Sequence, residues 1–159
     1  MVDLSVTLAG LQLKNPVIPA SGSFGYGREF AQLYDLNLLG SFSCKGTTAE
    51  PRFGNETPRI AETPSGLLNA VGLQNPGIDA VLRDEIPNIR SIFAAPILAN
   101  ICGFSVAEYA ANCAKFDVCP EVGILEVNIS CPNVHCGGMS FGTTPEGAAE
   151  VTRAVKAVT

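Results

Sequence analysis

Charge is scarce in this chain, and no function that depends on a dense field of one sign is open to it. Only 16% of its 159 residues are charged, and 10 basic against 15 acidic residues leave a net charge of −5. There is no basic footprint for a nucleic-acid backbone and no like-charge tail. No apolar run approaches the roughly 20 residues a membrane-spanning helix needs. The opening MVDLSVTLAG lacks the basic start and apolar stretch of a secretory leader, so a cytoplasmic protein with no nucleic-acid or membrane partner is expected. No two of the 6 cysteines stand in the short CxxC spacing of a zinc or redox site. Most are read as free thiols packed as small apolar residues, and no metal is expected.

What is abundant is apolar: 47% of the residues are hydrophobic, enough for one α/β core. LSVTLAGLQLKNP alternates on both sides of Ala9-Gly10, predicting a short hairpin. A unit then repeats four times: an apolar run, a glycine-rich polar loop, and a helical stretch. PVIPASG leads to REFAQLYDL, and GSFSCKGTT leads through a long excursion, ending near Asn75, to IDAVLRDEI. APILANICG precedes SVAEYAANCAKF, with Ser105 placed to cap. GILEVNISCPN precedes TPEGAAEVTRAVKAV, with Thr144 as N-cap and Pro145 at the first helical position.

Strands alternating with helices make a parallel sheet, and continuously apolar strands imply helices on the outside. Four such units fit an open doubly wound sheet or half of an eight-stranded barrel. Polar residues favour the barrel, because they gather at the C-terminal strand ends where barrel enzymes keep their chemistry: Ser21-Gly22, Lys45-Gly46-Thr47, Asn100, and Asn128 with Cys131. The sequence stops after the fourth helix, at Thr159. A half barrel exposes two strand edges, which predicts a fragment of a longer chain or a half that pairs with another polypeptide.

Lys45 ends an apolar strand. A lysine there can send its head to solvent over a packed stem, or serve as a fixed cation for an anionic ligand or for charge developing on a cofactor ring. GLLNAVGLQNPG is a loop whose Asn69 and backbone N–H groups from Ala70 through Val71 and Gly72 to Leu73 can read a small planar ligand bearing carbonyls and a carboxylate. Cys131 opens a loop at the strand-end rim, where a thiol can act as nucleophile or general base. His135 reads as a loop bystander or a catalyst. The spacing of Cys131 and Cys136 is a weak metal signal, and Gly137-Gly138 suggests a lid.

PASGSFGYG, CKGTTAEPRFGNETPR, NAVGLQNPG and NISCPNVHCGGMSFGT, in this order and spacing, resemble the class 1 dihydroorotate dehydrogenases over essentially the whole chain. RFGN and NAVGLQNPG are closest to subclass 1B, with 1A as the near alternative. The resemblance implies a (β/α)8 TIM barrel binding FMN, of which residues 1–159 are the N-terminal half. It implies oxidation of dihydroorotate to orotate in pyrimidine biosynthesis, in a homodimer flanked by subunits that carry FAD and a 2Fe-2S cluster and pass electrons to NAD+. Cys131 would be the base, and Lys45 would meet flavin and substrate. Asn69, Asn128 and Asn133, with the backbone from Ala70 to Leu73, would hold the substrate; Ser21, Gly46, Asn100 and Asn128 would line the FMN. His135 stands where the family has a lysine. The family's later strands, with their flavin-contacting lysine, a substrate asparagine and the phosphate-binding loops, are absent. A dihydropyrimidine dehydrogenase-like flavin domain, disfavoured by Asn133 where that group carries histidine, and a non-catalytic half-barrel binding module are the competing readings.

Overall fold

The computed structural model describes residues 2–132 and 139–159. The chain begins with the expected hairpin, β1 (Val6–Leu8) and β2 (Leu11–Leu13), antiparallel with Thr7 opposite Gln12. The turn carries Ala9 and Gly10 at φ 48° and 84°.

Four parallel segments then stand side by side. The first, residues 17–20, is extended but makes no regular ladder. Pro19 has no N–H to give and Val17 N–H donates to Asn15 Oδ1 at 3.0 Å, and the bonds to the second segment run from carbonyls: Val17 O accepts from Gly40 N at 3.1 Å and Pro19 O from Ser43 N at 3.1 Å. The second, residues 40–48, bridges the third at Ser43 opposite Leu98 and Thr47 opposite Ile101. The third and fourth are β5 (Ile97–Ile101) and β6 (Val122–Val127), paired in parallel with Asn100 opposite Glu126.

Two expected helices differ. The first segment is followed by one turn, α1 (Ser21–Phe24), and REFAQLYDL forms two 3-10 turns, Phe30–Gln32 and Leu36–Leu38. Asp35 accepts from Asn37 N at 2.9 Å, a local bond that starts the second turn anew instead of continuing the first. The long excursion contains an unforeseen hairpin, β3 (Ile60–Thr63) and β4 (Gly66–Asn69), exposed along its whole length. The helix after it runs as α2 (Ile78–Ala80), a π-type stretch Val81–Glu85, and α3 (Ile86–Ile92). Pro87 cannot donate to the preceding turn, and the widened stretch lies just before it.

The last two helical units follow the sequence closely. Ser105 Oγ accepts from Glu108 N at 3.2 Å to start α4 (Val106–Asp117), and Glu108 reaches back to Phe104 N at 2.9 Å. The short α5 (Met139–Gly142) precedes α6 (Pro145–Lys156), capped by Thr144 Oγ1 accepting from Gly147 N at 3.1 Å.

Alternation along the strands sorts two faces. Phe42 and Cys44, Ile97, Ala99 and Ile101, and Leu125 and Val127 join α3, α4 and α6 in one apolar core. The intervening residues Ser43 and Lys45, Leu98 and Asn100, and Glu126 and Asn128 therefore face the opposite, inner side. Tyr109, Phe42 and Phe116 are fully buried between sheet and helices.

Candidate active site

The inner face ends in a cleft of about 220 Å³ lined by Ser21, Lys45, Gly46, Asn69, Val71, Gly72, Leu73, Asn128 and Cys131, together with Gly22, Ser130 and Pro132. Nine of the site residues expected from the sequence thus meet in one place, drawn from the first, second and fourth strand ends and the excursion loop. Larger hollows of about 540 Å³ beside Arg52 and Glu85 and about 400 Å³ between β6 and α6 contain none of them.

Three residues stand differently. Asn100 is 2% exposed and lies below the floor. Ala70 is turned aside: its N–H donates to Arg59 O at 2.8 Å and its carbonyl accepts from Asn55 Nδ2 at 2.8 Å, and it lines a neighbouring groove instead. Asn133, with His135 and Cys136, lies outside the described residues.

The floor is a chain of hydrogen bonds. Asn128 Nδ2 donates to Asn100 Oδ1 at 3.1 Å, and Asn100 Nδ2 donates to Glu126 Oε1 at 2.6 Å. The other carboxylate oxygen of Glu126 accepts from Ser43 Oγ at 2.5 Å. Above Asn100, a Cβ on Gly46 would lie 2.8 Å from its Oδ1, so only glycine lets the second strand close onto the third. Tyr109 of α4 donates from its hydroxyl to Asn128 O at 2.7 Å, fixing the backbone of the fourth strand end.

The excursion loop is held as firmly. Asn75 is 6% exposed; its amide donates to Thr48 Oγ1 at 2.9 Å and Leu73 O at 2.8 Å and accepts from Thr48 N at 3.2 Å and Gly77 N at 2.9 Å. Leu73 sits at φ 58°, a conformation costly for a branched residue, and it places this strained residue against the cleft. Arg59 donates to Phe53 O at 2.8 Å and Asn55 O at 3.0 Å, and also bonds Gln74.

Among the described residues Lys45 has no ion-pair partner. A half-buried ammonium without a counter-charge in a polar cleft suits an anionic ligand. The thiols differ sharply. Burial pushes Cys102 up to about 12, helped by the neighbouring Cys131, and burial also drives Cys44 far upward. Cys131 is the part-exposed thiol in the cleft. Among the described residues no cluster could hold a metal ion, and no helix is long and apolar enough to cross a membrane.

The family model for dihydroorotate dehydrogenase matches residues 3–159. The chain belongs to the dihydroorotate dehydrogenase family. It is 57% identical over 158 residues to the dihydroorotate dehydrogenase B (NAD(+)) catalytic subunit of Bacillus cytotoxicus, a match covering 99% of this chain and 51% of the relative. It is 58% identical over 158 residues to the protein of that name from Anoxybacillus flavithermus, covering 99% and 50%. The chain therefore spans about half the length of these curated relatives, and its likeness to the B-type subunits agrees with the subclass read from its loops. Among solved structures, the dihydroorotate dehydrogenase of Eimeria tenella in complex with ferulenol superposes with a TM-score of 0.72 over 98% of this chain and 43% of that chain. At 20% identity that likeness speaks to the fold, and it assigns the four parallel segments to the (β/α)8 barrel family.

Serine, asparagine and lysine at the strand ends were visible in the sequence. Glu126, Ser43, Tyr109 and Asn75 were not. The available signal for Glu126 was a carboxylate inside an apolar strand, two residues before Asn128 and so on the same face.

Proposed function

We propose that this chain is the N-terminal half of the FMN-binding barrel of a class 1B dihydroorotate dehydrogenase catalytic subunit, oxidising dihydroorotate to orotate. The observation that carries the reading is the meeting in one small cleft of Lys45, which has no ion-pair partner among the described residues, the amides of Asn69 and Asn128, and the thiol of Cys131. Dihydroorotate is a small anion whose ring offers both carbonyls and N–H groups, and amide side chains answer both.

The residues present also fit the flavin. Gly46 leaves a flush backbone floor, Asn100 and Asn128 supply oriented amides, and Lys45 supplies a positive charge. Ser21, Lys45, Gly46 and Asn128 would hold it, with Asn100 supporting the Asn128 amide from beneath. When bound, FMN supplies a hydride acceptor for the hydrogen leaving C6 of the substrate.

Cys131, as thiolate, takes the proton from C5. Cys131 lies part-exposed at the rim, within reach of a ligand in the cleft, whereas Cys102 lies beneath the floor, where burial keeps its thiol protonated. Lys45 opposes the negative charge of the ligand, and Asn69, Asn128, Asn133 and the backbone from Val71 to Leu73 orient the ring. A partner subunit carrying FAD and a 2Fe-2S cluster would supply the route for electrons to NAD+, in a cytoplasmic assembly built on a homodimer of catalytic subunits.

The test is anaerobic mixing of the full-length gene product, loaded with FMN, with dihydroorotate or dihydrouracil. Bleaching of the flavin by dihydroorotate alone is expected. Bleaching by dihydrouracil instead would move the assignment to a dihydropyrimidine dehydrogenase, and bleaching by neither would reject both.

A further inference from the structure

Glu126 is a carboxylate on the inner face, one strand position below the cleft, and the proton chemistry described above does not use it. Its two oxygens take hydrogen bonds from Asn100 Nδ2 at 2.6 Å and Ser43 Oγ at 2.5 Å. An ionised carboxylate only accepts, so the Asn100 amide must turn its nitrogen toward Glu126. Its oxygen then points the other way, and Asn128 answers with its own nitrogen at 3.1 Å. The oxygen of Asn128 is left on the side of Ser130, whose N–H it accepts at 3.3 Å. Each amide has nearly the same shape with oxygen and nitrogen exchanged. The charge at the end of the chain selects this arrangement at Asn100, and the longer contacts of Cys102 Sγ with Asn100 Oδ1 at 3.7 Å and of Ser130 N–H with Asn128 Oδ1 at 3.3 Å favour the same one.

We propose that Glu126 is a positioning residue that acts through Asn100 to fix which end of the Asn128 amide faces the ligand, and so makes the cleft selective for a ring that matches that pattern. The inference rests on the function proposed above. Asn128 is shared between the proposed flavin and substrate contacts, so its orientation bears on both. A glutamine at position 126 keeps the size and can donate or accept toward Asn100. It therefore removes the acceptor-only group that holds the Asn100 amide in one arrangement, and leaves Asn128 with only its longer bond to Ser130 N–H, while packing is unchanged.

The experiment uses the full-length flavoprotein and reads orotate affinity from the change in flavin absorption. Glu126→Gln is expected to weaken orotate about tenfold or more, with flavin content and thermal midpoint retained. In an Asn128→Ala background the same substitution should change affinity less than twofold, because no amide remains to be oriented. A purely structural residue would act equally in both backgrounds, and that result overturns the inference, as does an affinity unchanged by Glu126→Gln. If Glu126→Gln loses its flavin, the double variant Glu126→Gln with Asn100→Asp decides. A carboxylate at position 100 only accepts, so it restores the direction of the chain: the new amide at position 126 donates to it, and Ser43 donates to that amide's oxygen. Recovered flavin and orotate binding supports the inference, and no recovery overturns it. A parent protein that shows no orotate binding rejects the function proposal, and this inference with it; a parent that binds with equal effects in both backgrounds rejects this inference alone.

Discussion

Gly46 and Asn100 are pressed so closely together that a Cβ on the glycine would stand 2.8 Å from the asparagine's Oδ1, with Cys102 Sγ at 2.9 Å on the same side. Neither neighbour can retreat. Asn100 is bonded to both Glu126 and Asn128, and Cys102 is 1% exposed. The Gly46→Ala protein should lose about 1–3 kcal/mol of stability through overpacking. Its flavin content should fall at least tenfold, because the floor on which the ring would lie is forced open. Absorbance of the purified protein gives the flavin-to-protein ratio; full loading would show that the floor is not a flavin contact.

Asn75 ties the loop bearing Leu73 to the second strand and to the start of α2 through four hydrogen bonds. Truncation to alanine leaves buried partners unmet, at about 1–3 kcal/mol for each group that water cannot reach. Asn75→Ala should lower the urea midpoint by an amount equivalent to about 3 kcal/mol. The KM for dihydroorotate should rise more than kcat falls, since in the proposed reaction the loop only orients the ring. Equal stability of mutant and parent would mean that water replaces the amide.

The sequence patterns that were legible share a physical trait: they are local. Ser105 and Thr144 cap helices because a side-chain oxygen reaches an N–H three residues on, and the Ala9-Gly10 turn is set by its own dihedrals. The strand-end residues were found because polar groups interrupt apolar runs at repeated points. What stayed hidden depends on distant partners. Ser43 and Glu126 lie 83 positions apart, and nothing within either segment announces the other. The β3–β4 hairpin was hidden for a different reason: Ile60, Leu67 and Leu68 are 60–66% exposed, so its apolar residues do not mark a buried face. The PVIPASG segment misled in the opposite sense, being strand-like in position but unable to donate at two prolines.

The buried thiols predict an alkaline limit to stability. Burial, the leading cause in each, raises Cys102 to about 12 and Cys113 to about 11 from an ordinary 9.0. An acid raised in the folded chain stays neutral there at pH values where the unfolded chain has already ionised. Its contribution is complete below the unfolded value near 9 and is lost as pH climbs through the folded values. The thermal midpoint should therefore be flat up to about pH 9 and fall above it, and Cys102→Ala should make that fall shallower. The same burial predicts that iodoacetamide at pH 8 modifies Cys131 while sparing Cys102 and Cys113 until the protein unfolds, which peptide mass mapping can follow.

The decisive substitution is Cys131→Ser, because it changes one atom and leaves the shape of the cleft. A serine hydroxyl does not ionise near neutral pH, so the proposed base is lost while Lys45, Asn69 and Asn128, the proposed ligand contacts, remain. Flavin content and orotate affinity should stay within a few fold of the parent. Reduction of the flavin by dihydroorotate at pH 7 should slow by about 10²- to 10⁴-fold, the usual contribution of a general base. The rate should recover as pH rises, since hydroxide in solution or an ionised hydroxyl can then take the C5 proton. Stopped-flow absorbance across pH separates these effects. A reduction rate unaltered at pH 7 would remove Cys131 from the chemistry; a rate lost together with orotate binding would make its role one of shape. Only slow reduction with binding intact leaves proton removal as what this thiol does.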